Sequence, residues 1–331
     1  MPADDRELPA ALPTPFASGR LDVGEGHELW FEQSGAPHGL PAVILHGGPG
    51  SGSTPRHREF FDGSRWRLVQ FDQRGCGRST PAGGTTHNHT AALVADIETL
   101  RAHLGIERWL VFGGSWGASL ALAYAAAHRE RVSGVVLRGA FLAGRGDTDW
   151  FFRDVAALAP VAHAQFIAAV PLRKRRNIVD WLARCLAGDD ETRALAAAAA
   201  WQAYENRLDG GAADTPAAPV AGSEAAQRLL GKYRIQSHYL ARRCFLGERA
   251  VLRAADALGG VPMAIVHGTQ DLICRPQNSW RIHRACAGSR LAWAEQAGHH
   301  PWHPASARLL RSALAAFAAT GDFAGWPEPP R

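Results

Sequence analysis

Paired cysteines are missing from this sequence. Its five, Cys76, Cys185, Cys244, Cys274 and Cys286, are odd in number, and no two form a C-x-x-C. That removes a zinc knuckle, a thioredoxin-like pair and a disulfide-stapled framework, and makes a reducing compartment the simplest setting. Excess charge is scarce as well. The 36 Lys+Arg against 31 Asp+Glu leave a net +5 over 331 residues, too little to argue for a nucleic-acid partner. The start, MPADDRELPAAL, has no basic stretch ahead of an apolar one, so a signal peptide is not expected. Tandem repeats are absent. Residues 109–128, WLVFGGSWGASLALAYAAAH, carry no formal charge and approach a membrane span in length. Three Gly and a Ser-Trp in the first half of that run fit a strand, a sharp turn and a buried helix better. No membrane partner is expected.

What is present is globular. With 46% hydrophobic and 20% charged residues, the chain is too apolar for disorder and too mixed for a coiled coil. A chain of this length buries roughly 75% of its unfolded surface, in one large domain or two modest ones. LDVGEGHELWFEQS (21–34) reads as two short strands around a Gly-rich turn. Short apolar runs at 41–45, 67–71, 108–112, 134–138, 261–266 and 290–293 are each followed by a loop or a helical stretch. That alternation predicts an α/β fold with a mainly parallel central sheet and helices on both faces. Thr90 is placed to cap a helix lined by Leu93, Ile97, Leu100 and Leu104, and residues 304–319 give a C-terminal helix that starts at Pro304.

Between about 141 and 250 the strand pattern stops and helices follow one another, with 194–208 strongly helical and 209–222, DGGAADTPAAPVAG, a loop. The expected organisation is a core over 1–140, an inserted all-helical cap over 141–250, and the rest of the core over 251–331. Arg173, Lys174, Arg175 and Arg176 read as a solvated cap face.

The sharpest motif is Gly113-Gly114-Ser115-Trp116-Gly117, a G-x-S-x-G between a strand and a helix. A Ser on such a turn exposes its Oγ at a helix N-terminus, where amide N–H groups meet any developing negative charge. His46-Gly47-Gly48-Pro49-Gly50 ends another strand and suits an oxyanion loop; no Gly-Lys-Ser/Thr follows, which disfavours a phosphate loop. A nucleophilic Ser needs a base and an orienter, in the chain order Ser, acid, His for an α/β-hydrolase. Asp271, in His267-Gly268-Thr269-Gln270-Asp271, and His299, in Ala297-Gly298-His299-His300, satisfy that order. The Gly before His299 favours it over His300. HHPWH (299–303) and His87-Asn88-His89 lack the partners of a zinc site.

HELWFEQSG (27–35), HGGPGSG (46–52), DQRGCGRS (72–79), GGSWGASLALAYA (113–125), HGTQD (267–271) and AGHH (297–300) together resemble the proline iminopeptidases, or prolyl aminopeptidases, of the α/β-hydrolase superfamily. The resemblance implies cytoplasmic, cofactor-free removal of an N-terminal proline from short peptides or amides under a helical cap. It implies oxyanion amides at Gly48 and Trp116, and a bracing role for Asp72, Arg74 and Arg78. The family's cap carboxylates receive the prolyl amine. Its W-x-x-W-E pattern matches Trp201-Gln202-Ala203-Tyr204-Glu205, and its R-I-E-x-H-Y-F pattern matches Arg234-Ile235-Gln236-Ser237-His238-Tyr239-Leu240. Glu205 is kept, but Gln236 stands where the family has its second Glu. Trp201, Tyr204, Glu205 and Gln236 are thus the expected substrate contacts, with Trp201 and Tyr204 equally suited to the cap core. The expected activity is that of a serine aminopeptidase. A broader esterase or amidase with the same Ser115, Asp271 and His299, and a catalytically silent ligand-binding protein, are the alternatives. The sequence leaves the oligomeric state open.

Overall fold

The computed structural model describes residue 12, residues 14–210 and residues 219–327. Eight strands form one sheet: β1 (Pro15–Asp22), β2 (Glu28–Gly35), β3 (Leu40–Leu45), β4 (Trp66–Phe71), β5 (Trp109–Gly114), β6 (Val132–Arg138), β7 (Met263–Gly268) and β8 (Arg290–Ala294). Their order is β1-β2-β4-β3-β5-β6-β7-β8. β1 and β2 pair antiparallel, as do β2 and β4, and every later pair is parallel. β5 and β7 are buried along their whole length, which is why they read as unbroken apolar runs rather than alternating ones.

Among the described residues the helices are α1 (Thr90–His103), α2 (Trp116–Ala127), α3 (Arg145–Phe152), α4 (Pro160–Ala168), α5 (Ile178–Ala187), α6 (Glu191–Leu208), α7 (Glu224–Leu240), α8 (Glu248–Asp256), α9 (Pro276–Ala285) and α10 (Pro304–Thr320). One face of the sheet packs against Leu93 and Ile97 of α1, Leu120 of α2, Val251 of α8 and Ile282 of α9. The other takes Leu310, Leu314 and Phe317 of α10 with Phe60, Phe61 and Trp66.

Helices α3 to α7 have a core of their own, built on Phe152, Phe166, Trp181, Leu182, Trp201, Tyr204 and Tyr233. α8 packs on α2 and α9, so a division at 250 falls inside a helix that belongs with the sheet. Two local expectations change. Thr90 is the first helical residue, its hydroxyl donating to the Cys244 carbonyl, and His89 Nδ1 is the cap, accepting from Ala92 N–H at 3.2 Å. α6 starts at Glu191, because Asp190 caps it by accepting from Arg193 N–H at 3.0 Å. Of the expected loop at 209–222, residues 211–218 lie outside the described residues, as does the stretch 1–11.

α7 rests directly on the core. A Cβ at Gly50 would overlap the Lys232 carbonyl oxygen, and one at Gly83 would sit 3.0 Å from Gly231 Cα. Glycine at these points lets the helix settle onto the loops after β3 and β4. That seating carries Lys232 and Gln236 over the end of the sheet.

Candidate active site

Ser115 sits between β5 and α2 at φ 57°, ψ −123°, a conformation that L residues rarely adopt. The turn is held by Ser115 N–H donating to Arg138 O at 2.9 Å and by Ala118 N–H donating to Ser115 O at 3.0 Å. Its flanking glycines are sterically required. A Cβ at Gly113 would overlap Gly117 O, and one at Gly117 would overlap Leu45 O. The Ser115 hydroxyl lies 4.0 Å from Cys274 Sγ, and burial pushes that thiol well above its usual pKa, so it is no nucleophile.

Asp271 and His299 meet across 28 residues. His299 Nδ1 lies 2.7 Å from Asp271 Oδ2, while Asp271 Oδ1 accepts from Ile273 N–H at 2.9 Å and Cys274 N–H at 2.8 Å. Burial raises the Asp271 pKa, but the His299 charge and the hydrogen bonds from His267 and His299 outweigh it and hold the carboxyl well below its ordinary range. Arg138, the last residue of β6, donates to His299 O at 2.7 Å. His300 has no such tie to Asp271; its ring packs against Trp302 at 5.2 Å.

The loop after β3 is braced from the loop after β4. Gln73 N–H donates to His46 Nε2 at 3.0 Å, Gln73 Nε2 donates to His46 O at 2.9 Å, and Trp116 Nε1 donates to Gln73 Oε1 at 3.0 Å. One glutamine thus links the Gly48 loop to the start of α2. Asp72 Oδ1 accepts from Ser53 N–H and Oγ at 2.6 and 2.7 Å, and its Oδ2 accepts from Arg78 N–H at 2.9 Å. Arg74 reaches away, to Asp96 at 2.7 and 2.8 Å.

Ser115, His299, Gly48, Trp201, Glu205 and Gln236 line one cavity of about 420 Å³ between the sheet and the cap. Tyr204 does not. Its hydroxyl donates to Phe151 O at 2.8 Å and its ring stacks on Phe166 at 4.8 Å, so the structure corrects its expected substrate contact to a cap-core role. Trp201 serves both: it packs at 4.9 Å on Tyr233, and its buried Nε1 has no hydrogen-bond partner among the described residues. Gln236 Nε2 donates to Glu205 Oε1 at 2.6 Å, which leaves Gln236 Oε1 buried and unpartnered among the described residues.

Among the cavity residues that escaped the sequence reading, four are titratable groups close to the chemistry: Lys232, Asp209, Arg138 and His57. Lys232 Nζ and Tyr233 OH both donate to Glu205 Oε2, at 3.1 and 2.7 Å. Asp209, at the end of α6, has its carboxyl pKa raised by burial. Burial, with the charges of Arg138 and His46, lowers the His57 pKa to about 3. Of the four, only Arg138 carried a signal, since it ends a parallel strand, where sites of α/β sheets form.

Residues 41–303 match the family described as having the alpha/beta hydrolase fold. A proline iminopeptidase of Xylella fastidiosa is 43% identical over 306 residues, covering 92% of this chain and 97% of that one. The chain belongs to the proline iminopeptidase family. The proline iminopeptidase of Arabidopsis thaliana is 40% identical over 301 residues, with 89% and 78% covered. Among solved structures, the Mycobacterium smegmatis proline iminopeptidase superposes with a TM-score of 0.63 at 20% identity, covering 93% of this chain and all of that one. A Rhodococcus esterase does so at 0.60 and 21%. Those two likenesses speak for the fold alone.

Proposed function

We propose that this protein is a serine aminopeptidase that releases N-terminal proline from short peptides. The observation that carries the reading is the joining, in one cavity, of a serine on a strand-to-helix turn, an Asp-bound histidine, and an amine-sized polar group made of Glu205 and Gln236. The prolyl ammonium binds Glu205 and the unpartnered Gln236 Oε1, and the ring enters the apolar part of the cavity beside Phe141 and Phe151.

His299, held by Asp271, takes the Ser115 proton on Nε2 as Oγ bonds to the prolyl carbonyl carbon; the hydroxyl turns from Cys274 to do so. N–H groups of Gly48 and Trp116 receive the oxyanion, Trp116 being the first residue of α2 and so free of an intrahelical acceptor. The carbon–nitrogen bond then breaks as His299 passes its proton to the leaving amine. Water, deprotonated by His299, attacks the prolyl ester, and the proton returns to Ser115 as proline leaves. The reaction calls on no metal or organic cofactor. We place it in the cytoplasm, which suits the odd, unpaired cysteine set.

A broader esterase or amidase is the second reading, and Lys232 favours it, because Glu205 is already neutralised. Hydrolysis rates for the arylamides of proline, alanine and N-blocked proline, beside a simple ester, decide between them. Free proline is expected to lead. Equal rates on free and N-blocked proline would leave the esterase reading.

A further inference from the structure

The cap side of the cavity presents three carboxylates, and two are spent. Asp147 accepts from Leu142 and Gly144 N–H at 3.0 and 3.3 Å and from Asn278 Nδ2 at 2.8 Å. Glu205 holds Lys232, Tyr233 and Gln236. Asp209 is different. Its Oδ1 is buried and has no hydrogen-bond partner among the described residues. It is also the C-cap residue of α6, one helical turn past Glu205, where the unsatisfied carbonyls already concentrate negative charge. A desolvated carboxylate at that end of a helix is unfavourable until a cation reaches it.

Its position indicates which cation. The cations acting on Asp209 are His299, His300 and Arg138, with the Asp271 carboxylate opposing them. Arg138 is engaged with the His299 carbonyl. Asp209 lines the same cavity as His299 and His300, within electrostatic reach of both rings. With the proline ammonium held by Glu205 and Gln236, the chain beyond the scissile bond leaves past His299, which hands it a proton.

We propose that Asp209 forms an anionic leaving-group subsite that takes a lysine- or arginine-type side chain on the residue following the proline. The assignment rests on the proline-releasing reading for the direction of the bound chain, and its test has one arm that does not. In that arm, argininamide and alaninamide inhibit the hydrolysis of 4-nitrophenyl acetate, and the ratio of their inhibition constants is measured. In the other, kcat/KM is compared for prolyl-argininamide and prolyl-alaninamide. The wild-type ratio is expected to favour arginine by about 5-fold in both arms. Asp209→Asn should bring both ratios near 1, and Asp209→Glu should restore part of the preference. Equal ratios in the wild type, or a preference that survives in Asp209→Asn, overturns the subsite. So does an Asp209→Asn variant that instead loses discrimination between free and N-blocked proline, which would move Asp209 to the amine side. Tighter inhibition by argininamide without any cleavage of prolyl peptides would uphold the subsite and sink the proline reading alone.

Discussion

Lys232 Nζ stands 3.1 Å from Glu205 Oε2, so the carboxylate expected to receive the substrate amine already has a cation beside it. Both groups come from the cap, Glu205 from α6 and Lys232 from α7, and both are partly shielded from water. On the proposed reading, a substrate ammonium shares Glu205 with Lys232 and draws its remaining acceptor from Gln236 Oε1.

Removing that competition should tighten amine binding. Lys232→Met is expected to lower KM for proline arylamide by about 5-fold, the worth of a partly exposed ion pair near 1 kcal/mol. Glu205→Gln should raise it, with little effect on the N-blocked analogue. Steady-state kinetics at pH 8 on both substrates checks this. A KM that rises in Lys232→Met would mean that the lysine positions Glu205 rather than competes for it.

The serine turn makes a paired prediction. Ser115→Ala should lower kcat by about 10³-fold or more, since covalent catalysis is lost. Ser115→Gly should be equally inactive yet more stable by about 1 kcal/mol, because glycine adopts a positive φ without strain. Thermal melts that rank glycine below serine would argue against strain at this position.

His299 and His300 separate by their partners. With Asp271 2.7 Å from its Nδ1, His299→Ala should abolish the burst of product that reports acyl-enzyme formation. His300→Ala should leave the burst measurable. Loss in the His300 variant with a normal burst in the His299 one would reverse the assignment.

Gly139 is the least obvious test. At φ 52°, a Cβ there would stand 3.1 Å from His299 Cε1 and 3.4 Å from Asp271 Oδ2. Gly139→Ala should displace the imidazole and lower kcat by about 10- to 100-fold, while costing about 1–2 kcal/mol of stability through the positive φ. An unchanged kcat in a folded variant would place the working histidine elsewhere.

Acid sensitivity should trace in part to His57. Its ring packs against Phe60, Phe112 and Trp302 with Nδ1 out of reach of water, and its folded pKa is about 3. The unfolded chain takes up that proton near pH 6.5, so stability falls as pH drops from there toward 3, by on the order of 4 kcal/mol. His57→Phe should flatten the stability curve across this window. Denaturant midpoints at pH 7, 5.5 and 4.5 measure it, and parallel curves for the two proteins would exclude the residue.

The sequence by itself determined the sheet and the serine turn, because those signals are local. β3 and β5 are runs of apolar residues that lead into glycine-rich turns, β7 is one that ends on a single glycine, and the turn at Ser115 demands small neighbours within two residues of it. It also placed Asp271 and His299 behind late strands, by chain order. What lay beyond it was any property that depends on which side chains meet across the fold. Tyr204 and Trp201 share one helix three residues apart, yet one faces Phe166 in the cap core and the other the cavity. Lys232 gave no sign of neutralising Glu205, 27 residues earlier on another helix. Asp209 read as the start of a loop. Its unpartnered Oδ1 follows from the fold, which brings the end of α6 to the cavity that His299 also lines and leaves that oxygen buried with no donor among the described residues. Charge compensation is a property of distance and dielectric, and both are fixed by tertiary packing rather than by spacing along the chain.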